Sequence, residues 1–370
     1  MNQLGIKRMM KLKEPNIRSS YKKEDCVFVM QEITNEVQEV DATRKESLID
    51  AGVHYSEMLP VEQTPSLVQK RMFYEFMQVN ALTLAQHVAD LSQLLWKEKG
   101  ENIVLVSLAR AGTPIGVLLK QAFFHYQNAD VPHYSISIIR GKGIDENALL
   151  YILKRHPKAN IQFVDGWTGK GAIYQELSNS INNFNQTYET TVSPELAVIA
   201  DPAGVARYRG TAEDIMLPSA CFNSTVSGLV SRTIHREDIV KGTDYHAGKF
   251  YSEFVREDKS YNFIRGIQRY FKYLKPHTKK AFALQNNGIA EVQTIQNVFG
   301  VKNIHKVKPS VGETTRVILR RLPWKILVKD MDNVQVKSVL ALAKEKGVPI
   351  EVYPHMSYAC VGLIQEEGDE

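Results

Sequence analysis

Four short apolar runs, at residues 103–107, 134–139, 161–165 and 196–200, recur along this chain, with helical periodicity between them at 113–126, 145–156 and 171–183. Runs this continuous offer no polar face to water, so they fit strands buried on both sides, and strands joined through helices lie parallel. The expectation is an α/β domain built on a parallel sheet with both faces covered. A long amphipathic helix should precede it. Thr64 and Pro65 suit an N-cap and a first helical position, and Met72, Phe76, Val79, Leu82, Leu84, Val88, Leu91 and Leu95 carry the apolar spacing toward Gly100. Residues 1–60 read as an irregular arm with a short strand at 27–30. The stretch 245–274 reads as helix-rich and dense in aromatic and basic residues.

Two of the strand-to-helix turns are suited to an anion. After the run 103–107 come Leu108, Ala109, Arg110, Ala111, Gly112, Thr113 and Pro114, with Arg110 at the strand's carboxyl end and Thr113 and Pro114 opening a helix. The run 161–165 ends at Asp165, and Thr168, Gly169, Lys170 and Gly171 then lead into a second helix. Glycines let a ligand approach the backbone, and a helix N-terminus with a hydroxyl and an ammonium favours a phosphate. In an open parallel sheet, ligands bind where neighbouring strands' carboxyl ends meet, so the two turns should face one crevice. The same residues also make ordinary tight turns.

The segments SLARAGTP, RGKGIDEN (140–147) and FVDGWTGKGA resemble the pyrophosphate loop, flexible hood and PRPP loop of type I phosphoribosyltransferases. The whole chain is similar to bacterial proteins with a phosphoribosyltransferase-like N-terminal domain, which also carries the label StiP cysteine protease, and a Pelota-like RNA-binding C-terminal domain. The first resemblance implies an enzyme acting on PRPP or a related ribose phosphate, with Asp165, Arg110 and Lys142 as catalytic residues. Thr168, Gly169, Lys170 and Gly171 would cradle the 5′-phosphate, and Asp165 would accept from ribose hydroxyls. Ala109, Arg110, Ala111 and Gly112 would hold pyrophosphate, while Arg140 and Lys142 close over it. Mg²⁺ would arrive with the substrate and touch Asp165 and Asp201, with no protein cage. This chain departs from the pattern in having one acid where two are usual, and only Gly166 and Trp167 before Thr168.

A third cluster, LPSACFNSTVSGLVSRT at 217–233, has five Ser/Thr hydroxyls from Ser219 to Ser231 among apolar residues. In the transferase reading it shapes the acceptor pocket through Asn223 and Ser224. In the rival reading Cys221 is a peptidase nucleophile, His246 its base and Asp244 or Asn223 the orienter. A lone cysteine in such surroundings is also commonly a small buried hydrophobe. A third reading is a non-catalytic, nucleotide-sensing RNA-binding regulator.

With 370 residues and 44% apolar content the chain is long enough for two domains. The expected division is an arm (1–60), the phosphoribosyltransferase-like domain (61–274), a Pelota-like α/β/α sandwich (275–364) and an acidic tail (365–370). In the sandwich, helices at 278–299, 312–321 and 334–346 should alternate with strands at 303–307, 325–328 and 350–353. Residues 277–363 hold 13 Lys/Arg against 6 Asp/Glu, although the whole chain carries only +5. By resemblance to the L7Ae/Pelota group, Gly312 would open an RNA-facing helix and Arg316, Arg320 and Arg321 would contact phosphates. Thr314 and Thr315 stand where kink-turn readers carry Asn-Glu. Cys26, Cys221 and Cys360 lack ligand spacing, which argues against zinc or a disulfide scaffold and fits a reducing cytoplasm. No window is apolar enough for a membrane span, and the oligomeric state is left open.

Overall fold

The computed structural model describes residues 1–33, 37–285 and 287–364, so the acidic tail expected at 365–370 lies outside the described residues. Among the described residues seven strands form the central sheet, six of them in the order Val27–Phe28, His133–Ile139, Ile103–Ala109, Asn160–Val164, Leu196–Ala200, Tyr208–Thr211. Every one of these pairings is parallel. Along Ile103–Ala109 the side chains alternate between two cores: Ile103 and Leu105 join one, Val104, Val106 and Leu108 the other. The first core is covered by Leu67–Lys99, Gly112–Gln127 and Ser260–Gln268, the second by Glu146–Arg155 and Ala172–Tyr188. The chain is thus a mixed α/β protein with a parallel sheet.

Several boundaries moved for identifiable reasons. The long helix starts at Leu67, because Ser66 and Gln69 form a reciprocal capping box that displaces Thr64 and Pro65. Tyr208–Thr211 escaped the apolar-run reading because its sequence is Tyr-Arg-Gly-Thr; a Cβ on Gly210 would lie 2.8 Å from the Ile199 carbonyl, so a bare backbone is needed there. Within 245–274 only Ser260–Gln268 is α-helical, whereas Ala247–Gly248 pairs with Gln31–Glu32. The helix expected from 278 begins at Asn287. Before it, residues 277–285 lie as a strap on the sheet domain: His277 N–H donates to Asp90, Lys279 Nζ to the Gly210 carbonyl and Phe282 N–H to the Arg207 carbonyl.

The C-terminal module has a four-stranded sheet ordered Val307–Pro309, Cys360–Ile364, Pro323–Val328, Ile350–Val352, with helices Asn287–Val298, Val311–Arg320 and Lys337–Glu345. Its central strand, Cys360–Ile364, was not among those expected. The module is docked on the large sheet domain, and Val311, Ile318 and Val336 belong to the same apolar cluster as Met216 and Leu217. At the seam, the buried Asp214 carboxylate accepts from Val311 N–H at 3.0 and 3.1 Å and from Ala359 N–H at 2.9 Å. Gln335 accepts from Met216 N–H and Asn80 Nδ2 and donates back to Asn80 Oδ1. Burial pushes the Asp214 carboxyl up to about 7, against the backbone donors that pull it down.

A carboxyl held above its unfolded value contributes most stability below that value and loses it as the pH rises through its folded value. Asp214→Ala should lower Tm by about 4 °C or more, because the buried Val311 and Ala359 amides lose their acceptor. It should also flatten the decline of Tm between about pH 4 and 7. Thermal scans across that range test this; an unchanged Tm and slope would contradict it.

Candidate functional site

The site forms where the first two inner strands end. A Cβ on Gly112 would lie 2.2 Å from the Val164 carbonyl, so only glycine lets this helix start press onto the neighbouring strand. Beneath it, Ser107 Oγ donates to the Gly112 carbonyl at 3.0 Å and bonds His133 Nε2 at 2.8 Å, while Thr113 and Ser135 share a 2.7 Å bond. Burial drives His133 down to about 4, so this imidazole is neutral and acts as a fixed prop. Ala109 and Ala111 therefore hold Arg110 on a rigid turn; its guanidinium makes one long bond, 3.4 Å, to the Val230 carbonyl.

The second turn lies beside the first, as the strand register requires, with Gly166 facing the Ala111 carbonyl. Its side-chain donors are already committed. Thr168 Oγ1 donates to Asp201 Oδ1 at 2.7 Å, and Lys170 Nζ to the Ile304 carbonyl at 2.8 Å. The Gly169 carbonyl accepts from Tyr358 at 2.9 Å, and Gly171 at φ +87° begins the following helix. What was expected to be a 5′-phosphate cradle is a docking surface for the C-terminal module. Burial, with Lys308 and Arg140, lowers Lys170 to about 8.

The acids are likewise engaged. Asp201 accepts from Thr168, from Val205 and Ala206 N–H, and from Arg209, so its carboxylate is structural. Asp165 accepts from Gly166 N–H at 2.8 Å, and burial raises it to about 7 despite Arg316. Among the described residues no three His, Cys, Asp or Glu side chains gather as a metal site. In the expected hood, Lys142 is tied to Glu57 at 3.1 Å and to the His235 carbonyl, and Arg140 backbone groups bond Tyr55 and His54. That segment is a pinned hairpin in which Gly143–Ile144 pairs back on Ile138 and Ile139.

Between the first turn and the docked module lies a small cavity, about 30 Å³, lined by Arg110, Trp167, Ser219, Phe222, Asn223 and Arg316 among others. Arg316 stacks on Trp167 at 4.7 Å, and Gly312 packs beneath the same ring, where a Cβ would lie 3.0 Å from it. Two of the residues expected at an RNA surface thus face the interior seam, and Asp214 caps their helix. Arg321 is close enough to Arg232 to depress its pKa, and the Arg320 side chain lies outside the described residues. Ser224, expected in an acceptor pocket, donates from N–H and Oγ to Glu62, whereas Asn223 does line the cavity.

Cys221 ends the 3₁₀ turn Pro218–Cys221 and is fully buried, its carbonyl accepting from Gln69 Nε2. His246 is held elsewhere: Nδ1 bonds Ser137 Oγ at 2.8 Å, the ring meets His235 edge-on at 4.6 Å, and burial drives its pKa down to about 3. The two groups are not a bonded pair in this conformation. The carboxylate beside His246 is Asp145, accepting its N–H at 2.6 Å, and not Asp244, which caps Lys241 N–H. Cys26 and Cys360 are buried away from the cavity lining, and burial pushes both thiols up. Sequence reasoning missed Asp145, and it named Ser219 and Arg232 within the cluster 217–233 without giving either a role. Asp145 could have been read as the N-cap of the helix Glu146–Arg155, which it is, but nothing local links it to His246.

Residues 19–268 match the family described as tellurite-like stress resistance cysteine protease StiP, and residues 286–366 match the PELOTA RNA binding domain. The chain belongs to the StiP family. It is also 36% identical over 366 residues to a protein of Acinetobacter baylyi (strain ATCC 33305 / BD413 / ADP1) named Cysteine protease StiP, with 94% of each chain covered. These matches overturn the phosphoribosyltransferase expectation, and with it the ribose phosphate substrate: the family assigned to the sheet domain is that of a cysteine protease. The structure gives the physical reason, since the turn meant for the 5′-phosphate is bonded to Tyr358 and Ile304. No helix among the described residues is long and apolar enough to cross a membrane.

Proposed function

We propose that this StiP-family chain is a cysteine peptidase whose nucleophile is Cys221. One observation carries the assignment: of the three cysteines, only Cys221 sits in the turn whose neighbours Ser219, Phe222 and Asn223 line the cavity next to Arg110. In the reaction, the Cys221 sulfur, its proton passed to a base, adds to a peptide carbonyl. The C–N bond breaks and the amine leaves with a proton. Water then cleaves the thioester, releasing the acid and restoring the thiol. His246, neutral through burial, has the protonation state a base requires. Pairing it with Cys221 requires a rearrangement of the closed conformation, which exchanges its Ser137 bond for the thiol.

Cys221→Ser should lower kcat/KM on a cleaved peptide substrate about 1,000-fold or more. His246→Ala should reduce kcat and remove the acid-side limb of the pH profile, where protonation of the base lowers the rate. Cys26→Ser should retain activity. Peptide hydrolysis that persists in Cys221→Ser would refute the assignment.

The C-terminal module supports a second, separate proposal, RNA binding, because it matches the PELOTA RNA binding domain. Its Gly312 helix terminus is capped by Asp214, so RNA entering there must displace the carboxylate. Asp214→Ala should then bind RNA more tightly than the unaltered chain in a mobility-shift titration at fixed salt. Equal affinity would place the RNA surface on another face of the module.

A further inference from the structure

The cavity beside Cys221 contains buried donors that the protein leaves without acceptors. Among the described residues Arg316 Nε and Ser219 Oγ are buried without a hydrogen bond, and both residues line the cavity. Arg110 flanks the same space, its hydrogen bond among the described residues being the 3.4 Å contact to the Val230 carbonyl. Close to Arg110, the Arg232 guanidinium lies 4.7 Å from the Tyr55 ring centroid and has no carboxylate partner among the described residues. Burial, Arg110 and Arg321 lower Arg232 to about 10, which shows that positive charge is crowded here. Glu313 pairs with one terminal nitrogen of Arg316 at 3.1 Å, which leaves Arg316 Nε, Arg110 and Arg232 without a carboxylate among the described residues, and burial raises Asp165 to about 7. Buried donors without acceptors are costly, and an arrangement of this kind is explained by a ligand that brings the missing acceptor.

We infer that this cavity is the pocket by which the enzyme selects an acidic substrate: a peptide carboxylate, from an Asp or Glu side chain or the chain terminus, bound beside the scissile bond. The inference rests on the peptidase reading above. A carboxylate has two oxygens to accept from Ser219 Oγ, Arg316 Nε and the Arg110 fork, in charge-assisted bonds that a neutral amide cannot match. A peptide brings carboxylates and no phosphate, so the peptidase reading itself names the acceptor that these donors would meet. Because Ser219 and Phe222 flank Cys221 in sequence, the selected carboxylate lies within a residue or two of the bond being cut.

The test uses the full chain and three degenerate nonapeptide pools: central Glu with an amidated end, central Gln with an amidated end, and central Gln with a free carboxylate end. Binding to the Cys221→Ser variant is measured by calorimetry, and cleavage of each pool by the unaltered protein is followed by mass spectrometry. One acidic pool should bind at least tenfold tighter than the amidated Gln pool, and which one does so names the source of the carboxylate. Arg316→Met, which keeps an apolar stem against Trp167, should raise KM for that pool about tenfold. Equal binding of all three pools would overturn the inference, the cavity then holding water only. Indiscriminate cleavage of every pool would overturn it too while leaving the peptidase standing. Selective binding with no cleavage by the unaltered chain would leave the pocket standing and remove the peptidase reading.

Discussion

One buried carboxylate, that of Asp214, accepts hydrogen bonds across the seam between the two halves of this protein. Asp214 reaches from the sheet domain to the first amide of the helix Val311–Arg320 and to Ala359, just before the central strand of the C-terminal module. A helix N-terminus needs an acceptor, and an anion there gains from the helix dipole. Supplying that anion from the other domain fixes where the helix can lie. Gly312 then fits under Trp167, Arg316 over it, and Tyr358 against Gly169. The cavity next to Cys221 exists only because this helix forms one of its walls.

The same geometry shows what the side-chain donors of the phosphate-type turn are bonded to. Free N–H groups, a hydroxyl and a lysine after a strand are attractive to any acceptor, and sequence cannot say which acceptor arrives. In this fold the acceptors are internal: the Ile304 carbonyl for Lys170 and the Asp201 carboxylate for Thr168. The cationic character that remains accessible belongs to Arg110, Arg232 and Arg316. They come from three distant stretches of chain and meet only through tertiary structure.

Legibility from sequence follows the range of the interactions involved. The strands 103–109, 133–139, 160–164 and 196–200 were readable because a strand buried on both faces must be apolar throughout. Tyr208–Thr211 was not, since Gly210 answers to the close approach of His87 and Ile199 rather than to an apolar pattern, and Cys360–Ile364, buried throughout, was missed at the end of the C-terminal module. Cys221 and Asn223 were picked out by their unusual setting among hydroxyls, and Asn223 does line the cavity. The partnership of His246 with Ser137 and Asp145, and the burial of the Gly312 helix terminus, depend on contacts about a hundred residues apart. No local pattern records such pairings.

The docking of the C-terminal module is tested most directly by amide hydrogen exchange at Val311 and Ala359, which donate to Asp214. Protection comparable with that of the central strand Ile103–Ala109 is the expected result, because both amides are buried acceptor-bound groups at the seam. Exchange at these two amides as fast as in an exposed loop, with the strand still protected, would contradict the account.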